Sequence, residues 1–487
     1  MSCQRFEPIQ SRRDFLGRTG LGFGAAALAH LFRGEALAAA SAGAGLPAAR
    51  SSVDGLHFPA KAKRVICLFQ SGGPSHLDLF DPKPVLSERF NEDLPDSVRR
   101  GQRITGMVAG QKRLVLQPSK FAFQRGGKCG MEISDLLPHT RAIADDLCLV
   151  RSMHTEAINH DPAITFFQSG SQLAGRPSMG AWIDYGLGRL NENLPSFVVL
   201  VSVNAKRAGQ GLLSRLWGSG FLPSAHQGVQ FRSAGEPVLY LNDAPGITRQ
   251  QRRTLLDGIV ELNRLQLARS GDPEIETRIS QFEMAYRMQA SVPELMELGG
   301  EPAHVLESYG PEVNTPGSYA RNCMLARRLA ERGVRFIQLY HRDWDHHGGL
   351  HEQLPHIARD VDQPTAALVS DLKQRGLLED TLVIWGGEFG RTPYAQGEAN
   401  RQKYGRDHHG RAFSLWLAGA GVKGGLTYGA TDEFGFNIIE KPVHIHDLQA
   451  TILNRLGIDH ERLTYRFQGR QFRLTDVHGA VVRDILT

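Results

Sequence analysis

Six short runs of apolar residues recur along the chain, and each of them ends at a group of polar residues or glycines. The runs cover residues 63–69, 147–151, 196–202, 334–340, 381–385 and 413–417. Continuous apolar runs of this length, bounded by turn-forming residues, are typical of strands that are buried on both faces. They predict a central β-sheet in the interior of the protein.

Longer segments between these runs place apolar residues three and four positions apart, which is the period of an amphipathic helix. The predicted helices cover residues 249–269, 274–289, 319–331, 354–375 and 448–456, the last with Asp447 as its N-cap. Strands that alternate with helices predict an α/β fold with a mostly parallel central sheet and helices on both faces. We take residues 61–480 as one domain with a helical insertion at about 245–330.

The N-terminal segment has the pattern of an export signal. Arg12 and Arg13 precede a weakly apolar, Gly- and Ala-rich run from Leu21 to Phe32. This pattern is typical of a twin-arginine signal peptide, which carries folded proteins out of the cytoplasm. We predict a signal peptide over 1–38, a linker over 39–60, the twin-arginine export machinery as a partner, and a periplasmic or secreted location. The run is too short and Gly-rich to predict a membrane span in the mature form, and uncleaved retention stays open as an alternative.

The charge balance excludes one class of partner. The formal net charge is +5, and it falls to about +3 without residues 1–38, which carry five Arg against three acidic residues. The sequence has no long Lys/Arg tract and no alternation of basic and aromatic residues. It therefore predicts no nucleic-acid partner.

The most distinctive polar group follows the run 334–340. Asp343, Asp345, His347 and His351 lie within nine residues of one another at this strand end. Carboxylate oxygens and neutral imidazoles are the usual protein ligands of zinc and related divalent ions, and they need a rigid element behind them. We interpret the four residues as candidate metal ligands, and the alternative is a solvated, His-rich loop.

Two further groups of this kind follow along the chain. Glu388 lies in a Gly-rich turn after the run 381–385, where the glycines allow the backbone to aim one carboxylate at a ligand. His408 and His409 precede the run 413–417. Adjacent histidines are seldom both ligands of one ion, and of the two we favour His409. Taken alone, the Glu388 turn is more readily a plain surface turn, and it is the Asp345 and His347 group that favours a functional role for it.

The loops after the first two runs carry more candidates. His76 and Asp78 follow a Gly-Gly-Pro turn, while Thr155 and His160 follow the second run. Because the carboxyl ends of parallel strands meet at one edge of a sheet, we expect these loops to face the other groups there. Each of these residues, taken singly, is more often an ordinary hydrogen-bonded polar residue.

Four motifs together carry a family resemblance. They are Gly72-Gly73-Pro74-Ser75-His76-Leu77-Asp78, Trp344-Asp345-His346-His347-Gly348-Gly349, Gly387-Glu388-Phe389-Gly390-Arg391-Thr392-Pro393 and Arg406-Asp407-His408-His409. With them the chain resembles the alkaline phosphatase and sulfatase superfamily and, within it, a twin-arginine-exported, sulfatase-like family of unknown function. The resemblance runs over about residues 60–475 and implies an alkaline-phosphatase-like fold.

The resemblance also implies a metal content. In the superfamily two divalent metals, often zinc, flank the ester, and here calcium or manganese are the alternatives to zinc. One metal is held by an Asp, a nearby His and a distant His, a pattern that Asp343 or Asp345, His347 and His409 would fill.

The second metal site of the superfamily is expected to be weakened or rebuilt here. Gly72 stands at the position of the first-strand Asp, and Glu388-Phe389 stands at the position of an Asp-His pair. His76 or Asp78 would have to substitute for the missing ligands.

The nucleophile position departs from the sulfatase pattern as well. Sulfatases carry Cys or Ser followed by x-Pro-x-Arg, whereas this chain has His160-Asp161-Pro162-Ala163-Ile164. Formylglycine chemistry is therefore excluded at this position. His160 could attack the ester, serve as a general acid or base, or bind a metal while water attacks, and Thr155 is a weaker candidate nucleophile.

Two functional hypotheses remain from the sequence. The first is an exported metal-dependent hydrolase of small-molecule or glycan phosphate or sulfate esters. In it Arg391 and Arg411 would clamp the anion, because a guanidinium matches two oxygens of such an ester, unless they form ordinary salt bridges. The second hypothesis is a catalytically silent relative that binds sulfated glycans or another exported partner.

Overall fold

The predicted apolar runs form strands of the central β-sheet, with bounds that differ from the predicted ones by at most three residues. The computed structural model describes residues 55–203, 211–238, 241, 243, 246–397 and 403–487, so the predicted signal peptide and most of the linker lie outside the described residues. The strands are β1 Arg64–Gln70, β2 Phe123–Gly126, β3 Met131–Ser134, β4 Leu147–His154, β5 Phe197–Val201, β6 Val229–Phe231, β7 Phe336–His341, β8 Thr381–Gly386, β9 Gly390–Gln396, β10 Gly405–His409, β11 Phe413–Ala418, β12 Leu426–Tyr428, β13 Ala430–Thr431, β14 Ile438–Glu440, β15 Val443–His444, β16 Tyr465–Phe467 and β17 Arg470–Phe472.

The main sheet has the strand order β12-β4-β11-β8-β1-β7-β5-β6, and β15 also pairs with β4. β11 runs antiparallel to its neighbours β4 and β8, while the other pairs are parallel. The predicted mostly parallel sheet is therefore confirmed. Because β1, β4, β7 and β8 run in one direction, the loops that follow them leave from the same edge of the sheet.

Helices cover both faces of this sheet, as the sequence predicts. The α-helices of the described residues are α1 His76–Leu79, α2 Val85–Glu88, α3 Asp96–Arg99, α4 Pro138–Ala142, α5 His160–Ser169, α6 Met179–Leu187, α7 Arg249–Ser270, α8 Pro273–Met296, α9 Ala303–Ser308, α10 Tyr319–Glu331, α11 Leu350–Gln374 and α12 Ile445–Arg455. The segment expected to be a helical insertion contains α7 to α10. None of the described helices combines the length and the apolar character that crossing a membrane requires.

The central strand β1 separates two apolar cores, because all seven of its residues are buried. Ile66 and Leu68 face the core that contains α10 and α11. Val65, Cys67 and Phe69 face the core that contains α5, α6 and α12. Each such side chain stabilises the fold by about 1.5–3 kcal/mol relative to an exposed one. The sheet therefore gives the loops at its carboxyl edge a rigid base.

The start of α12 differs from the prediction. The helix begins at Ile445, and its N-cap is His444, whose ring accepts a hydrogen bond from the His446 N–H at 3.3 Å. Asp447 lies in the first turn, where its carboxylate accepts the His444 N–H at 2.9 Å. Asp447 is thus the third residue of a capping box and not the N-cap itself.

A buried ion pair joins the loop after β1 to the β9–β10 hairpin. Asp78 and Arg406 have fully buried side chains, and Arg406 Nε lies 2.7 Å from Asp78 Oδ2. Arg406 also donates hydrogen bonds to the carbonyls of Thr392 and Gln117, each at 3.0 Å. The Asp78 carboxylate, which we considered as a metal ligand, is therefore neutralised by a guanidinium in this structure.

Replacing Asp78 by Asn should destabilise the protein strongly. The substitution keeps the shape of the side chain but leaves the Arg406 charge buried without its partner, which costs about 3–5 kcal/mol. The free energy of unfolding, measured by urea denaturation, checks this expectation.

The control is Asp96→Asn, because Asp96 pairs with Arg99 at 3.9 Å and its side chain is 94% exposed. Exposed pairs of this kind contribute about 0–1 kcal/mol. Equal effects of the two substitutions would show that the Asp78–Arg406 pair does not fasten the hairpin.

Candidate metal centre

Three imidazoles surround one carboxylate oxygen at the carboxyl edge of the sheet. The Nε2 atoms of His347, His160 and His408 lie 2.8, 3.3 and 3.3 Å from Asp345 Oδ1. The candidate ligand atoms of these four residues all lie within 4.8 Å of one another. In the described ranges of the chain, no other group of three or more His, Cys, Asp or Glu has this property.

Three elements of the fold bring these side chains together. Asp345 and His347 lie in the turn that follows β7, and His160 is the first residue of α5, which follows β4. His408 comes from β10, which pairs with β9 after the end of β8. The parallel strands therefore deliver to one point residues that are up to 248 positions apart in the sequence.

The other ring nitrogen of each histidine contacts a hydrogen-bond acceptor. His160 Nδ1 contacts Glu388 Oε1 at 2.6 Å, and His408 Nδ1 contacts the carbonyl oxygen of Ile158 at 2.7 Å. His347 Nδ1 contacts Gln396 Oε1. When a ring donates its Nδ1–H in this way, its Nε2 is the nitrogen available to bind a metal ion. All three Nε2 atoms are directed to the same place as the Asp345 oxygen.

Glu388 supports the cluster from behind and is not one of its four members. Its carboxylate is buried, and both oxygens accept the Gly72 N–H, at 2.9 and 3.2 Å. Burial opposes protonation of the neighbouring His160, but its hydrogen bonds with Asp345 and Glu388 outweigh burial and raise its pKa. Glu388 thus fixes the orientation of the His160 ring and increases its basicity.

Arg391 is held by protein acceptors on several sides. Its Nε donates to the Gly73 carbonyl at 2.8 Å, and Nη1 donates to the Arg406 carbonyl at 3.0 Å. Its Nη2 contacts the Gly72 carbonyl and lies 2.6 Å from Asp345 Oδ1. The side chain is 1% exposed. We expected Arg391 to clamp an anionic substrate, but the structure uses its guanidinium to position Asp345 and the Gly72-Gly73 turn.

The ionisation of the cluster follows from these contacts. Burial alone would raise the pKa of Asp345, yet hydrogen bonds from the three imidazoles and the charge of Arg391 hold that pKa well below its usual range. Burial is the main reason why the pKa of His408 falls to about 3. At neutral pH the centre therefore presents an ionised carboxylate and, at His408, a neutral imidazole.

Close backbone packing is required where the β1 and β7 turns meet. Gly72 has φ +120°, and a Cβ atom there would lie 2.7 Å from the backbone nitrogens of both Trp344 and Asp345. A Cβ at Gly73 would lie 2.6 Å from the Phe389 ring. Only glycine permits this approach. The Gly-Gly turn therefore determines how near Asp345 comes to the other loops.

The donor set fits a divalent metal ion. Imidazole nitrogen and carboxylate oxygen are common ligands of zinc, which can bind a fifth ligand, such as water or an ester oxygen, beside four such donors. The buried His160 Nε2 lies 3.3 Å from Asp345 Oδ1 and points into the space that the other candidate ligand atoms share. The side chains of Asp345 and His347 are 28% and 27% exposed, against 4% for His408, so a ligand from solvent would reach the centre from the Asp345 side.

Several predicted ligands lie outside the cluster. His409, which we favoured over His408, is buried against Phe436 and its Nε2 contacts the Phe436 carbonyl at 2.7 Å. Its pKa falls to about 3, chiefly because of burial. His76 is also buried, and its Nε2 contacts the Gly435 carbonyl at 3.0 Å. The structure does not bring either histidine to the centre.

Two further candidates from the turn after β7 are directed elsewhere. Asp343 has a left-handed φ of +83° and lines a separate cavity. His351 lies in the first turn of α11, where its ring stacks on Tyr404 at 6.4 Å. Of the predicted ligands in this turn, the structure thus brings together Asp345 and His347 alone.

The remaining two candidates lie in loops beside the centre. The Thr155 hydroxyl accepts the N–H of Ala157 at 3.3 Å in a local turn, and Thr155 is not one of the four residues of the cluster. Arg411 is exposed at the end of the β9–β10 hairpin. Of the two predicted anion clamps, Arg411 faces solvent and Arg391 is buried.

Sequence reasoning missed the supporting acceptors. Gln396 and the Ile158 carbonyl hold two of the three imidazoles, yet a single Gln in a hairpin and a backbone oxygen have no sequence signature. The Phe389 ring, which packs against His160 and His408 at 5.0 and 4.6 Å, was considered only as the replacement of a histidine.

A family model matches most of the chain. The matched family is described as "Protein of unknown function (DUF1501)", and the match covers residues 62–486. The chain belongs to this family. None of the proteins with curated functions matches it.

Solved structures resemble this DUF1501 chain at low sequence identity. The PsFucS1 sulfatase from Pseudoalteromonas sp. is 12% identical, with a TM-score of 0.34, over 83% of this chain and 69% of that one. A protein of the alkaline phosphatase superfamily from Vibrio parahaemolyticus is 9% identical, with a TM-score of 0.35, over 83% and 68%. The alkaline phosphatase from the Antarctic bacterium TAB5 is 11% identical, with a TM-score of 0.30, over 81% and 98%.

In this DUF1501 chain, Gly72→Ala should disturb the centre through the backbone. The added Cβ would collide with the turn that carries Asp345, and the positive φ adds strain. We expect the free energy of unfolding to fall by at least about 2 kcal/mol more than in the control below. Urea denaturation measures this difference.

The matched control is Gly55→Ala, since Gly55 also has a positive φ of +87° but no atom within 4 Å of its Cβ position. Comparison of the two variants separates the destabilisation caused by the collision from that caused by the positive φ. Similar losses of stability in both variants would contradict the close approach of the two turns.

Proposed function

We propose that His160, Asp345, His347 and His408 bind one divalent metal ion, zinc in the first place, and that the protein hydrolyses phosphate or sulfate esters at this centre. The observation that carries the proposal is the arrangement of the three imidazoles. Each has its Nδ1 against an acceptor, and each turns its Nε2 toward the Asp345 oxygen. Outer contacts of this kind orient histidine ligands and raise their basicity.

The charges around the centre favour an anionic substrate once a cation is bound. With neutral imidazoles, Asp345 and Glu388 contribute two negative charges, and Arg391 contributes one positive charge. The set has a net charge of −1, which attracts a divalent cation and becomes +1 when that cation is present. A phosphate or sulfate ester would then be attracted, while in the absence of the cation it would be repelled.

The residues of the chain have separate tasks in this proposal. When bound, a divalent ion supplies Lewis acidity, which polarises an ester oxygen and makes water a better nucleophile. Asp345 and the three histidines would hold that ion, and Glu388 would keep His160 in place through its 2.6 Å contact. His160 then acts as a ligand and not as the attacking group, because its Nδ1 faces Glu388 and its Nε2 faces the centre. Arg411, which is exposed nearby along the chain, is left as the candidate for contact with the anion.

The biological setting remains part of the proposal. A twin-arginine signal over 1–38 would export the folded protein, so its substrates would be small-molecule or glycan esters outside the cytoplasm. Zinc would be acquired with the ligands already arranged by the fold. The alternative is a metal-binding relative without turnover. Its four ligands would hold the ion in the same way, but the ester would not be hydrolysed.

Replacing His347 by Ala should remove the metal without unfolding the protein, because the side chain is partly exposed and belongs to a surface turn. We expect zinc content, measured by elemental analysis of purified protein, to fall from about one ion per chain to below about a tenth. Asp345→Ala should lose zinc in the same way. Turnover of p-nitrophenyl phosphate or p-nitrophenyl sulfate should disappear in both variants and after chelation of the wild type.

His351→Ala is the matched control, since His351 comes from the same turn but lies outside the cluster; it should keep zinc and turnover. Full zinc occupancy in His347→Ala and Asp345→Ala would refute the ligand assignment. One zinc ion in the wild type with no turnover of either ester would support the binding protein over the hydrolase.

Acidification should release the metal. A proton competes with the metal for His160, whose pKa in the metal-free protein is raised by Asp345 and Glu388. Metal affinity should therefore begin to fall while the pH is still above the ordinary histidine pKa, and it should drop by at least about tenfold per pH unit below the raised value. Competition with a coloured chelator between pH 5 and 8 measures this. A constant zinc affinity over that interval would contradict coordination by His160.

A further inference from the structure

A cavity of about 760 Å³ lies beside the metal centre and is not part of it. Its lining includes Asp343 and His346 but neither Asp345 nor His347. The turn after β7 therefore directs some side chains to the metal centre and others into this cavity. The volume falls within the range of small-molecule sites, about 300–1,000 Å³.

The floor of the cavity holds a buried histidine with unsatisfied polar atoms. His341, the last residue of β7, lines the cavity and is 2% exposed, and neither of its ring nitrogens has a hydrogen-bond partner in the protein. The ring contacts Tyr319 edge-on at 4.9 Å. A buried polar group without a partner costs about 1–3 kcal/mol, so the site is incomplete as it stands.

The protonation state of His341 indicates what kind of ligand group would form hydrogen bonds with its ring. Burial, together with the charge of Arg342, lowers its pKa to about 3, so the ring is neutral near pH 7. A neutral imidazole offers one donor and one acceptor. A hydroxyl group can bond to either ring nitrogen, by accepting from the N–H or by donating to the bare nitrogen, whereas a metal ion suits only the bare nitrogen and a carboxylate only the N–H.

The rest of the lining limits the charge and shape of a ligand. Three acidic residues line the cavity, Glu312, Asp343 and Asp360, against one arginine, Arg359, which disfavours anions. Apolar surfaces are present as well, from Tyr319, Pro316, Ile357 and Pro364. The C–H faces of a sugar pack on such surfaces while its hydroxyls bond to polar groups.

We propose that this cavity binds an uncharged, hydroxyl-rich small molecule of mono- or disaccharide size, with His341 as its hydrogen-bonding partner at the floor. The site is separate from the metal centre and does not depend on the proposed hydrolysis. Its ligand differs in charge from the anionic ester that the metal centre would attract.

Ligand-observed NMR titration of the full-length protein with glucose, maltose, cellobiose and lactose tests this proposal. We expect saturable binding of at least one of these sugars by the wild type. His341→Phe keeps the ring shape but removes both polar atoms, and it should weaken binding by about tenfold or more. It should also raise the unfolding temperature of the sugar-free protein, because an unsatisfied buried polar group has been removed.

A second variant acts from the rim and leaves the floor intact. Val203 lines the cavity and is 62% exposed, so Val203→Trp should obstruct entry without disturbing the core. Val477→Trp is the matched control, because Val477 is 68% exposed and does not line the cavity; it should bind like the wild type. The proposal is overturned if the wild type binds none of the four sugars, or if either His341→Phe or Val203→Trp binds as tightly as the wild type.

Discussion

The contact between the Arg391 guanidinium and the Asp345 carboxylate is the interaction on which the rest of the site depends. Arg391 is buried, and its donors reach the carbonyls of Gly72, Gly73 and Arg406 as well as Asp345. It thereby connects the loop after β1, the turn after β7 and the β9–β10 hairpin. Loss of any one of these partners would destabilise the protein, because it would leave a charge or a hydrogen-bond donor of the buried guanidinium unpaired. The geometry of the centre is therefore coupled to the fold as a whole.

The contacts of Asp345 also determine how the side chains of the candidate metal centre are arranged. Asp345 Oδ1 contacts the Arg391 guanidinium and also faces three imidazoles. The Nδ1 atoms of these imidazoles contact Glu388, Gln396 and the Ile158 carbonyl. The four candidate ligands are thus already arranged around one point by the fold. The fixed guanidinium of Arg391 lies beside Gly72 and balances one negative charge there.

The sequence predicted the sheet and its carboxyl edge well, since continuous apolar runs report burial locally and parallel strands place their loops together. It favoured His409, whereas His408 faces the cluster, because adjacent residues of a strand face opposite sides and the register of β10 on β9 shifts between Arg406 and His408. It also gave no sign of the partners of Arg391, which include the backbone carbonyls of Gly72 and Gly73, more than 300 positions away. Asp343 lies outside the cluster and has a left-handed backbone conformation that no neighbouring glycine announces. Local patterns thus determined the frame, while long-range hydrogen bonds determined which side chains meet.

The central claim is that one divalent ion lies among His160, Asp345, His347 and His408. Anomalous diffraction from crystals grown with zinc, recorded on both sides of the zinc absorption edge, tests it directly. The account predicts a single strong peak per chain, about 2.0–2.2 Å from the three Nε2 atoms and one Asp345 oxygen. No peak at that point, or a peak held by other residues, would contradict it.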